Sequence, residues 1–197
     1  MTKINKNANG FTLVEVTVAL AVFAILVTVA SGIIISGGNI FARNTSRVKA
    51  SETASGVYSA INDRLTFAEK IDFTEDDFSP DSSGYSECIK IIKSGTSADS
   101  SDERVLIRRE NGSAFYGACD TGAYDVTVAF DSVKKTENGK NNMTLLCLTV
   151  NVYSDGELLY SKEAAIELLN HECEITGLDS KPSNEDKDLY INYSLAQ

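Results

Sequence analysis

Glu15 is the residue whose placement most needs a chemical explanation. It is the sole charge between Phe11 and Ile35. A carboxylate in so apolar a run is costly unless a partner compensates it, which makes it functional by default. The other residues able to do chemistry are scattered. Cys88, Cys119, Cys147 and Cys173 contain no Cys-x-x-Cys pair, so no zinc site is predicted. Their even count allows two disulfides in any of three connectivities. The competing reading is buried thiols, because Cys147 lies mid-strand among apolar residues. Within the disulfide reading the chosen pairing is Cys173 with an earlier strand, a choice without geometric support. His171 lies beside Glu172 and Cys173. Nucleophile and base normally meet through the fold, so it reads as a surface histidine. The acidic clusters Glu75 to Asp77 and Glu185 to Asp188 lack the glycine-containing alternation of a calcium loop and read as solvated. Phosphate loops, nucleophile elbows and dinucleotide fingerprints are absent from the sequence. The chain is therefore read as a non-enzyme without cofactor or metal.

The apolar run that holds Glu15 is long. As a helix, Phe11 to Ile35 spans roughly 37 Å, enough for a bilayer core of about 30 Å. Lys3 and Lys6 precede it, which keeps the N-terminal side cytoplasmic. The run exceeds the apolar core of a secretory signal, and nothing after Ser36 reads as Ala-x-Ala. A plain membrane anchor accounts for its length but gives no reason for Glu15.

The lysine-rich leader, Gly10, and then Phe11-Thr12-Leu13-Val14-Glu15 resemble the processing site of type IV prepilins and pseudopilins. The likeness covers roughly residues 1 to 35. It implies cleavage between Gly10 and Phe11 by a membrane prepilin peptidase, and N-methylation of Phe11. It also implies that Glu15 neutralises the N-terminus of a neighbouring pilin subunit during assembly. A methylated amine keeps its positive charge, so each charge then finds an opposite partner in a dry bundle. The implied partners are other pilin subunits, the peptidase, an inner-membrane assembly platform and, before assembly, membrane lipid. The implied location is the bacterial cytoplasmic membrane, single-pass, and then a cell-surface pilus or pseudopilus. The implied function is a structural filament subunit, a minor pilin by its irregular strand pattern. A pseudopilin of a secretion or DNA-uptake machine is the alternative. A membrane-anchored binding module that never polymerises is the alternative from another class.

The remaining chain must carry one globular domain. Residues 36 to 73 are expected to continue the helix. Gly32, Gly37 and Gly38 weaken it locally. Val57, Ile61, Leu65, Ala68 and Ile71 form an apolar face. Arg43, Arg47 and Lys49 read as a solvated face, or as a contact with headgroups or a neighbouring subunit. Strands are expected over Cys88 to Lys93, Arg104 to Arg109, Ser113 to Ala118, Tyr124 to Phe130, Leu145 to Tyr153 and Leu158 to Leu169. Asn111-Gly112 and Ser154-Asp155-Gly156-Glu157 supply hairpin turns. Ser94 to Asp102 and Lys134 to Asn142 read as polar loops. Residues 170 to 197 read as a polar tail with a short edge strand at Leu189 to Tyr193. The fold class is α+β: a long N-terminal helix, half transmembrane and half amphipathic, packed on an antiparallel β-sheet, pilin-like. The boundaries are a removed leader at 1–10, an assembly helix at 11–35, its continuation at 36–73 and a β-rich extracytoplasmic domain at 74–197. The formal net charge is −10, and losing Lys3 and Lys6 makes it −12. So acidic a chain, without tryptophan, is not predicted to bind nucleic acid directly.

Overall fold

Residues Leu13–Leu65 form one α-helix, α1. The structure is a computed structural model that describes residues 11–74, 84–93, 103–109, 114–138, 141–170 and 172–195. It divides into two units, one reaching Thr45 and the other running from Ser46 onward. In the first unit α1 is exposed and mostly apolar, its charged side chains being Glu15 and Arg43. Its few hydroxyls satisfy themselves locally: Thr28 donates to the Ala24 carbonyl and Ser31 to that of Val27, both at 2.8 Å. Such back-bonding lets polar side chains sit in an apolar helix. The helix continues through Gly32, Gly37 and Gly38 without a break, and the space beside each is open.

In the second unit one stripe of α1 is dry. Ala50, Ala54, Val57, Ile61 and Leu65 are fully buried, at steps of 4, 3, 4 and 4. The expected continuation to residue 73 stops at Leu65, and Ala68–Thr74 is strand β1. Ala68 and Ile71 are both buried there because a bulge shifts the register between Ala68 and Lys70. The extra residue gives a strand a three-residue step, which imitates a helix face in the sequence.

Eight further strands follow: β2 Glu87–Ile91, β3 Glu103–Arg109, β4 Tyr116–Asp120, β5 Asp125–Asn138, β6 Asn141–Ser154, β7 Glu157–Leu168, β8 Glu174–Thr176 and β9 Leu189–Leu195. They build a six-stranded sheet in the order β4-β3-β2-β9-β1-β8 and a three-stranded sheet in the order β5-β6-β7. Only the short β1–β8 pairing is parallel among the described pairs. Core residues from both sheets and from α1 form a single cluster. The β6–β7 turn has positive φ at Asp155 and Gly156, as a two-residue hairpin turn of matching twist requires. Of the polar stretch expected to be a loop at Lys134 to Asn142, the described residues 134–138 and 141–142 are instead strand, because β5–β6 pairing extends to Asn138 and Asn141. The turn at Asn111-Gly112, the loop at Ser94 to Asp102 and the cluster Glu75 to Asp77 lie outside the described residues.

The largest correction concerns the tail. β9 is not an edge strand: it lies between β2 and β1. Leu189, Ile191 and Tyr193 enter the main core, while Tyr190 packs with Cys88 on the other face. Its approach is also structured. At Gly177, φ is +75°, and an added Cβ would fall 2.2 Å from the Phe73 carbonyl oxygen, so only glycine fits. Farther on, Asn184 is fully buried and lies along the edge of β5. Its amide donates to the Ile92 carbonyl at 2.7 Å and the Val126 carbonyl at 2.9 Å. Its Oδ1 accepts from the Val128 N–H at 2.6 Å. One side chain thus ties the end of β2 to the other sheet and covers an edge strand. Asp188 is likewise engaged, 2.9 Å from the Lys90 ammonium and 2.8 Å from the Lys93 N–H. Burial works to raise its pKa, but these two donors outweigh burial and hold it below the usual value.

Replacing Asn184 with alanine leaves two carbonyls and an N–H buried without their partner. At about 1–3 kcal/mol for each orphaned group, partly relieved by water, a loss of about 2–4 kcal/mol is expected. Denaturant unfolding of the full chain in detergent checks this. An Asn184→Ala midpoint equal to wild type would show that the two sheets are held together elsewhere.

Candidate functional site

The first turn of α1 holds Glu15 in a specific geometry. Thr12 is the N-cap residue, and Glu15 stands three positions later. The Thr12 N–H donates to Glu15 Oε2 at 3.0 Å, and the Thr12 hydroxyl donates to the same oxygen at 3.1 Å. In return the Glu15 N–H donates to Thr12 Oγ1 at 3.3 Å. This is a capping box, which satisfies otherwise unpartnered N–H groups of the first turn. It also places a negative charge at the positive end of the helix dipole. The pattern Thr-x-x-Glu before an apolar run was readable as a cap in the sequence, but Thr12 was assigned no part of its own there.

Around this cap the surface is apolar. Phe11 is 87 % exposed. Phe11, Glu15, Val16, Ala19, Leu20 and Phe23 line one shallow groove along the helix. Glu15 is therefore the one charged group on an otherwise apolar, exposed seam. Gly10 lies outside the described residues, as does His171. Thr12 survives a cut between Gly10 and Phe11, so the capping bonds do not depend on the leader. Glu15 Oε2 carries two donors from its own chain, and Oε1 makes no such bond among the described residues. A cation approaching along the seam can use that second oxygen without breaking the cap.

The cysteines form no second site. None of the four is in a disulfide, so the expected bridge from Cys173 is not formed. Cys88 is buried on the outer face of the six-stranded sheet beside Tyr190. Cys119 packs against α1 at Gly56, where an added Cβ would fall 2.9 Å from its sulfur. Burial, reinforced by the nearby Glu69 carboxylate, pushes the Cys173 thiol up to about 11. A thiol so shifted is a poor nucleophile at neutral pH. No cluster of three or more metal-ligating side chains occurs among the described residues. A buried polar group closes the core below α1, where Glu87 accepts from the Tyr193 hydroxyl and lies 3.6 Å from Arg64. Burial, and then the Glu87 carboxylate, push the Tyr193 pKa up.

Residues 5–31 match the family model described as the prokaryotic N-terminal methylation motif. No curated protein and no solved structure matches the chain. The match covers the capping box and most of the apolar run, and it supports a type IV prepilin- or pseudopilin-like chain. Such a motif implies, in general terms, dealings with a prepilin peptidase and with other pilins. Together with a helix long and apolar enough to cross a membrane, it fits a membrane-anchored protein.

Thr12→Val removes the hydroxyl that both gives and receives in the cap. A loss of about 0.5–2 kcal/mol in the local stability of the first turn is expected. Amide exchange of Thr12, Glu15 and Val16, the bonded N–H groups of this turn, should accelerate accordingly in micelles. Unchanged protection would show that the cap does not hold this turn.

Proposed function

We propose that this chain is a structural, non-enzymatic subunit of a type IV pilus-like filament, cut between Gly10 and Phe11, methylated at Phe11 and assembled through α1. The supporting observation is Glu15 held by its own N-cap on an exposed apolar seam, inside a matched methylation motif. Cleavage creates an ammonium at Phe11, four residues from that carboxylate in sequence. Within a dry helical bundle the Phe11 amine of one copy and Glu15 of another neutralise each other, and leaving either unpaired costs several kcal/mol. The cap keeps the carboxylate oriented while it waits, which lowers the ordering cost of the pairing. The same reading places the apolar helix in the cytoplasmic membrane before assembly, with the domain outside.

Within the filament the chain reads as a minor subunit, from its domain size and irregular strand pattern; copy number per filament, measured by quantitative mass spectrometry, decides between minor and major. A pseudopilin of a secretion or DNA-uptake machine uses the same helix chemistry. Recovery in sheared surface filaments separates a pilus from it. Intact mass of the chain from native membranes should begin at methylated Phe11.

Two substitutions separate the cap from the charge. Glu15→Gln retains an acceptor for Thr12 but cannot neutralise an amine. Glu15→Ala removes both. Both variants should insert and be processed, and both should lose filament incorporation by at least about tenfold, on the scale of an unpaired buried charge. Wild-type incorporation of Glu15→Gln would reduce Glu15 to a capping residue and end the charge-pairing mechanism.

A further inference from the structure

The dry stripe of α1 ends at Ala50, but its helical spacing runs on. Stepping back from Ala50 by 3 and then 4 residues reaches Arg47 and Arg43, so the same helical repeat continues with cations. Both arginines are exposed, and neither has an ion-pair partner among the described residues. Charge is divided very unequally along the chain. Residues 11–49 carry three basic and one acidic side chain, whereas residues 50–197 carry 13 basic and 27 acidic. Several domain carboxylates are already engaged: Glu87 with Arg64, Asp188 with Lys90, Glu174 with Lys70 and Asp131 with Lys181. Edge strand β7 carries two carboxylates on its outward face. Its inward positions Ile166 and Leu168 are buried, and its outward positions Glu163, Ala165 and Glu167 are exposed. Glu163 and Glu167 have no ion-pair partner among the described residues.

We infer that the Arg43–Arg47 stripe is a docking surface for a second copy of this chain, which presents the outward face of β7 with Glu163 and Glu167. This rests on the filament-subunit reading above. Two domains of equal, strongly negative charge repel, and packing them along a common axis requires a compensating cation on the contact. The two arginines supply it, with planar donors suited to carboxylates. An anionic lipid headgroup is the other possible source of negative charge. Arg43 lies eight residues past Ile35, about 12 Å along a helix. The headgroup layer on each side of a bilayer is only about 5–8 Å deep, which favours the protein surface.

The test places a photo-crosslinking residue at position 47 of the full chain in its native cells. The expected product is a copy-to-copy adduct, enriched in sheared filaments, that maps to residues 157–169. The double reversal Arg43→Glu with Arg47→Glu should lower incorporation at least about tenfold, since juxtaposed like charges cost several kcal/mol. The reversal Glu163→Arg with Glu167→Arg should do the same. Combining all four changes should restore incorporation to within about twofold. Intact mass showing processed Phe11 confirms insertion of every variant. A lipid adduct, an adduct to another protein or elsewhere in the domain, or wild-type incorporation of either double reversal overturns the contact. Filaments that contain the chain without this adduct sink the contact alone. A chain absent from filaments and without any copy-to-copy adduct sinks the subunit reading as well.

Discussion

The domain depends on one dry stripe of α1. Ala50 and Ala54 are small, and Val57, Ile61 and Leu65 grow larger toward the helix end. Both sheets contribute to the same buried cluster as this stripe, and only the small Cys88–Tyr190 cluster lies apart from it among the described residues. Each large side chain there is worth about 1.5–3 kcal/mol of burial. Truncating Ile61 or Leu65 therefore weakens the packing of both sheets at once.

The second constraint is polar. Two sheets that share a core still expose edges, and buried edges need hydrogen-bond partners. The segment between β8 and β9 supplies them. Gly177 turns the chain tightly over Phe73, Pro182 accepts from the Phe130 N–H, and Asn184 links Ile92, Val126 and Val128. Past this segment the chain enters β9, which lies between β1 and β2. The last strand thus follows a polar segment that looks dispensable by composition.

That contrast explains what was legible in the sequence. Alternation marked Val126, Val128 and Phe130, and Leu146 through Val152, because each strand buries one face locally. The apolar run and Glu15 were legible because their chemistry is odd within a few residues. What stayed hidden depends on distant partners. Leu189 to Tyr193 looks like an edge strand until β1 and β2, far earlier in chain order, are placed on both its sides. Asn184 looks like a loop residue until three separate backbone groups converge on it. Ala68 and Ile71 misled for the opposite reason: a bulged strand and a helix share a three-residue step over so short a stretch. At the candidate site, the role of Thr12 is local and was readable, whereas the charge partner proposed for Glu15 belongs to another molecule.

The cap and the arginine stripe pose the same physical problem at two depths. In the apolar run a single charge is tolerated because the helix's own first turn holds it. In the proposed assembly it is used when an opposite charge arrives in a dry bundle. Farther along, in water, exposed arginines cost nothing while unpaired, so they need no intramolecular cap. Their pairing is correspondingly weak, about 0.2–1 kcal/mol for each exposed contact, and sensitive to salt. A buried pair near the helix start can thus supply the strength of assembly, and exposed pairs can set which surface meets which. The division follows from dielectric alone: strong, short-range pairing where water is excluded, and steering where it is not.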